Sequence, residues 1–132
     1  MENVKMKLAV FWLFVAISMS AILTITIIAP GVIDDIRTGI IIDMEINQEV
    51  LLIMAITYYW IPLVMAVLSV TLKDSINRWV NIIAGAGFAI FVLIELILNI
   101  TTVAYLFGML MDVSTILVSV LIAWYAWKWK KD

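Results

Sequence analysis

The sequence predicts an all-α fold: a polytopic membrane protein folded as an antiparallel four-helix transmembrane bundle. Three observations carry that expectation. Hydrophobic residues make up 66% of the 132 positions and charged residues only 14%, with a mean hydropathy of +1.18. Soluble domains run nearer half apolar and a quarter charged, and a globule this small keeps too much of its surface wet to hide the excess. The apolar residues are gathered into runs of one or two membrane-helix lengths. The basic residues fall on alternate connecting segments.

A helix crosses the hydrocarbon core with about 20 mostly apolar residues. The first run, Leu8 to Ala29, ends at Pro30-Gly31. It is long and unbroken, and lacks a good small-residue cleavage pattern, so it reads as a retained helix rather than a secretory leader. A second run extends from about Val50 to Leu72 and stops at Lys73-Asp74. The third, Trp79 to Trp127, is 49 residues long and must turn back on itself. Of two available breaks, Asn99–Thr102 leaves two spans of crossing length, whereas Gly108–Ser114 leaves the last too short. The β-branched and Asn residues of the first break also weaken helix there. The expected spans are therefore about 8–29, 50–72, 79–98 and 103–127 in a single transmembrane domain covering 1–132, with an outer loop over 30–49.

Orientation follows from Lys and Arg, which accumulate on the cytoplasmic side. Lys5 and Lys7, Lys73 and Arg78, and Lys128, Lys130 and Lys131 flank the spans on one side, seven of the eight basic residues; the 30–49 loop holds only Arg37. A cell membrane with both termini in the cytoplasm is the expected location. Trp12 and Trp79 are expected at the inner interface, and Trp124, Tyr125, Trp127 and Trp129 interleave with lysines as an aromatic belt. That run ends a membrane span, so no nucleic-acid partner is inferred from it.

The outer loop, "PGVIDDIRTGIIIDMEINQE", carries Asp34, Asp35, Asp43, Glu45 and Glu49 against Arg37. Pro30 and Gly39 bracket a stretch that can form two helical turns, and the residues from Ile40 to Asn47 alternate as in an extended segment. The loop is expected to fold back as a lid. Its acids, Asp34, Asp35, Asp43 and Glu45 above all, form a candidate cation-attracting mouth. Their spacing is not that of a calcium-binding loop.

Inside the spans, small and polar residues recur at helical spacing, as membrane helix contacts require. The first span offers Ala9, Ala16, Ser20 and Thr24; the second Ala55, Tyr59, Pro62, Ala66 and Ser69, with Pro62 a kink point. The third offers Asn81, Ala84, Glu95, Asn99 and Thr102, with close packing expected at Gly85, Gly87 and Ala89. The fourth offers Asp112, Thr115, Ser119, Ala123 and Ala126. Glu95, Asp112 and Asn99 are the candidate functional polar groups, because a charge at bilayer depth costs at least about 2.5 kcal/mol and faces the bundle interior. Glu95 falls about 5 Å, and Asp112 about 14 Å, from the outer turn at a rise of 1.5 Å per residue. Arg37, the one base on that side, is a candidate ion-pair partner for Glu95 if the lid closes.

The absence of Cys and His excludes disulfides, thiol nucleophiles, Cys/His zinc sites, His-ligated haem and His-based acid/base catalysis. The eight Met residues are scattered rather than clustered for copper(I). No phosphate-binding loop, dinucleotide fingerprint or nucleophile elbow is present, so no cofactor and no enzymatic activity are expected.

At "NRWVNIIAGAG" (Asn77 to Gly87) and "WYAWKWKK" (Trp124 to Lys131) the chain resembles an uncharacterised prokaryotic family of small four-helix membrane proteins. Pro30-Gly31 and Ile61-Pro62 fit the same pattern. Members often carry an acidic residue before the Ile-Pro pair; this chain has Trp60, so no role in the second span carries over. The resemblance implies four helices with cytoplasmic ends and implies no activity. A looser likeness to DoxX-like proteins rests on size and topology. The first functional reading is a non-enzymatic bundle in the lipid bilayer, acting through a homo-oligomer or another membrane protein as partner. The alternative is a proton- or cation-conducting transporter or channel subunit using the intramembrane carboxylates. A lipid- or quinone-directed enzyme is the weakest, since one Glu and one Asp supply little chemistry.

Overall fold

A computed structural model describes residues 2–41, 44–99 and 106–129, with the side chains of Glu2 and Asn99 outside the description. Four helices are long and apolar enough to cross a membrane: Asn3–Ile28, Gln48–Thr71, Asp74–Leu98 and Leu106–Lys128. The protein is a multi-pass membrane protein.

The first helix, α1 (Glu2–Ile28), contains neither Gly nor Pro. The hydroxyls of Thr24 and Thr26 donate back to the carbonyls of Ser20 and Ile22, so neither needs water within the span. Pro30 disfavours helix at the residue before it, and Gly31 takes a positive φ of 87° to begin α2 (Val32–Arg37). Asp34 and Asp35 lie in the first turn of α2 and Arg37 in its last, matching the helix dipole. Gly39, at φ 90°, then turns the chain into a small antiparallel pair, β1 (Ile40–Ile41) with β2 (Met44–Glu45). The alternation over Ile40 to Asn47 is therefore a hairpin rather than one extended strand. Asn47 caps the next helix by accepting from Val50 N–H at 2.9 Å.

The second span is interrupted. Helix α3 (Gln48–Ala55) passes into a π-helical turn, Ile56–Trp60, before α4 (Ile61–Thr71). Pro62 has no N–H for the carbonyl of Tyr58 and its ring crowds that carbonyl, so the turn before it widens. The expected kink at Pro62 takes this form. Leu72 is extended, and α5 (Asp74–Asn99) starts with Asp74 in its first turn. Helix α6 (Leu106–Lys128) runs unbroken through Gly108 and Ser114, so that stretch is not the turn between the last two helices. The Asn99–Thr102 break begins at the last residue of α5, and its remainder lies outside the described residues.

Helix α1 packs against α4 and α6, and α5 packs against α6. The backbones of α4 and α5 approach each other at few points, and side chains bridge that seam. Helix α1 supplies much of the core: Leu8, Trp12, Val15 and Met19 have no exposure, as have Val92 of α5 and Ile122 and Ala126 of α6. Three clasps draw the basic ends of the helices together. Lys5 pairs with Asp74 at 2.8 Å and donates to the Leu72 carbonyl at 3.0 Å. Arg78 donates to the carbonyls of Ala126 and Trp127 at 3.2 and 3.1 Å, closing the C-terminus of α6. Lys7 lies over the Tyr125 ring, 5.4 Å from its centre. The start of the first helix and the end of the last thus share one end of the bundle, while α2 and the hairpin occupy the other and contribute no buried residue among those described.

Candidate functional site

Glu95, Asp112 and Tyr58 form the polar centre of the half of the bundle nearer α2 and the hairpin. Glu95 sits four residues before the end of α5, about 6 Å along it, and Asp112 six residues into α6, about 9 Å. Asp112 is fully buried and is an electrostatic neighbour of half-buried Glu95. The phenol of Tyr58, from the π-helical turn, donates to Glu95 Oε1. Two carboxyls and a hydroxyl thus converge from three elements, at a depth where a single charge is costly.

The sequence places Tyr59 on the inward stripe of the second span, yet Tyr59 is 40% exposed and Tyr58 only 6%. Regular helical spacing counted back from the buried residues Pro62, Met65, Ala66 and Ser69 passes closer to Tyr58 than to Tyr59. The wide turn shifts the stretch before it instead: Met54 is half-buried and Ala55, on the expected stripe, is exposed.

An aromatic series leads inward from this centre. Tyr58 meets Phe91 with ring centres 6.4 Å apart, Phe91 meets Phe88 at 6.1 Å, and Phe88 meets Trp12 edge-on at 5.6 Å. It ends at a second polar cluster. Trp12 Nε1 donates to Asn81 Oδ1 at 2.7 Å, and Ser69 Oγ lies 3.1 Å from the same oxygen. Asn81 Nδ2 donates to the side-chain oxygen of Asn77 at 2.6 Å, and Asn77 Nδ2 to the Ser69 carbonyl at 2.6 Å. None of these four side chains is exposed. Trp12 is therefore not an interfacial residue: it is buried because its indole N–H ties α1 to α5. Trp79, by contrast, is 51% exposed.

The other candidates separate. Arg37 lies 4.0 Å from Asp34, both well exposed, and it does not reach Glu95; α2 stays at the surface of its end of the bundle instead of closing down. Asp35 and Glu45 are also exposed, and Asp43 lies outside the described residues, as does the side chain of Asn99. Gly85 is the close-packing point. A Cβ there would lie 2.9 Å from the Ser119 carbonyl oxygen and 3.0 Å from the Ala123 nitrogen. Gly87 is not one: it is exposed, with nothing within 4 Å of a Cβ, because it lies two residues on and faces away from α6. Ala89 is half-buried and Pro62 buried.

A wide groove opens along the C-terminal half of α1. It holds about 510 Å³ and is lined mainly by apolar groups, among them Ala16, Ala21, Tyr59, Leu63 and Phe107.

One family model matches the chain, over residues 1–132, and describes a family of unknown function, DUF6326. Comparison with curated proteins and with solved structures found no match.

Proposed function

Because the chain belongs to DUF6326 along its whole length and that family has no assigned function, we propose a reading from the site itself: a non-enzymatic membrane carrier or channel subunit that takes up and releases a proton or monovalent cation at the Glu95–Asp112 pair. The observation that carries it is the convergence of Glu95, Asp112 and Tyr58 within the spans. Neighbouring carboxyls exchange protons as a coupled unit, and one proton or one monocation held between them offsets their mutual repulsion. Glu95 is only half-buried, beside the side-chain-bridged seam between α4 and α5, which gives the pair a way out of the interior. Asp112 anchors the pair from the buried side.

This reading is tested in liposomes holding the purified protein and a pH-sensitive dye, with a potassium diffusion potential as the driving force. Wild type should move protons faster than empty liposomes. Glu95→Gln and Asp112→Asn keep size and hydrogen-bonding capacity but cannot titrate, and should return the rate to background while assembly and thermal stability hold. Full flux in both variants would overturn the reading.

The groove along α1 favours a second reading, in which the bundle works through a homo-oligomer or a membrane partner whose helix lies against Ala16 and Ala21. Leucine at Ala21 should then lower the oligomeric mass measured in nanodiscs. In both readings the protein sits in a prokaryotic cell membrane with its termini in the cytoplasm, as the distribution of basic residues supports.

A further inference from the structure

The basic end of the bundle holds two kinds of cation. Lys5 and Arg78 are occupied, the first by Asp74 and the Leu72 carbonyl, the second by the carbonyls that end α6. Lys7 and Lys128 are held differently. Lys7 Nζ rests over Tyr125, and Lys128 Nζ over Trp124 at 4.3 Å from the ring centre. Both lysines are exposed, and neither has a carboxylate partner among the described residues. A ring face positions an ammonium group without using up its hydrogen-bond donors.

The two are neighbours. Lys128 follows Tyr125 by three residues, about one turn of α6, and Lys7 crosses from α1 onto the same Tyr125. Phe11 backs the ring at 5.7 Å. One turn deeper on each helix, Phe14 and Leu121 are 40% exposed and extend the seam as an apolar surface. Trp124 and Trp127, 53% and 60% exposed, mark this level as the membrane interface. The order from the end inward is ammonium groups, aromatic shelf, then aliphatic and aromatic surface.

We propose that this α1–α6 seam binds an anionic phospholipid, with Lys7 and Lys128 donating to its phosphodiester and an acyl chain lying along Phe14 and Leu121. Charge complementarity selects the occupant, since two cations without a carboxylate partner among the described residues, at headgroup depth, match a phosphate with chains directly beneath it. A zwitterionic lipid brings its own ammonium group and gains less from the seam.

Native mass spectrometry of the full chain in detergent, titrated with phosphatidylglycerol or phosphatidylcholine, tests this. Phosphatidylglycerol should bind more tightly at one site. Lys7→Gln or Lys128→Gln should each weaken it about fivefold, and together about thirtyfold. Lys73→Gln removes the same charge from the link between α4 and α5 and should leave that site unchanged. Equal binding of the two lipids, or an equal loss in Lys73→Gln, would overturn the proposal in favour of diffuse charge attraction. Glycerophosphate without acyl chains should fail to compete; if it competes as well as the lipid, the seam is a soluble-phosphate site and the lipid assignment is wrong. Tyr125→Leu, which removes the shelf and keeps both charges, should also weaken binding, and unchanged affinity there would overturn the geometry.

Discussion

At Gly85 the backbones of α5 and α6 come close enough that a single methyl group has nowhere to go. The atoms it would meet are the Ser119 carbonyl oxygen and the Ala123 nitrogen, backbone atoms that no rotamer change can move. Gly85→Ala should therefore destabilise the protein by about 1–3 kcal/mol, and Gly85→Leu should force the two helices apart. Thermal unfolding in detergent measures both, and Gly87→Ala, two residues along the same helix, should leave the curve nearly unmoved. Trp12 carries a different kind of constraint, a buried N–H with a specific acceptor. Trp12→Phe keeps the ring against Phe88 but loses the bond to Asn81, which should cost about 1–3 kcal/mol in the same measurement. Hydropathy alone could not separate Trp12 from Trp79, because each lies in the first turns of an apolar run with polar residues nearby. What distinguishes them is an acceptor 69 residues away in sequence, which no local pattern contains.

The π-helical turn of the second span carries Tyr58, which donates to Glu95, and it sets which face of α3 turns inward. Pro62→Ala restores an N–H for the Tyr58 carbonyl and should let the turn tighten to α-helix, rotating the preceding segment by about one residue. Ala55 would then face inward in place of half-buried Met54. Single cysteines at 54 and 55 report this: the more accessible position should switch from 55 to 54 when Pro62 is replaced, and an unchanged pattern would mean that packing rather than proline holds the turn. Helix number was legible because hydropathy and charge are local and additive along the chain. The inward face of this span was legible only up to Pro62, beyond which the residue count per turn changes. The pairing of Glu95 with Tyr58 rather than with Arg37 was not legible at all. Charge logic named the one base on that side, while the geometry of α2 keeps that base beside Asp34.

Across the whole molecule, the basic residues at one end and the acidic α2–hairpin segment at the other make the bundle electrically polar. We expect single cysteines at Asp35 and Lys73 to label from opposite sides of sealed cells, Asp35 from outside. Labelling of both from one side would contradict the orientation. The polar clasps share a further property: each joins segments far apart in order of synthesis. Lys5 meets Leu72 across 67 residues, Trp12 meets Asn81 across 69, and Arg78 meets Ala126 across 48. None of them passes through α2 or the hairpin, where no described residue is buried. As the ribosome releases the chain, α1 enters the bilayer with its indole unsatisfied and waits for α5 to be made, and α5 waits in turn for the last turn of α6. Covalent continuity through the outer loop is dispensable to that sequence of events. Two pieces, 1–39 and 40–132, produced together in one cell should find each other in the membrane and co-purify, whereas a chain stopped before Ala126 should lose the Arg78 clasp and be cleared faster by membrane proteases.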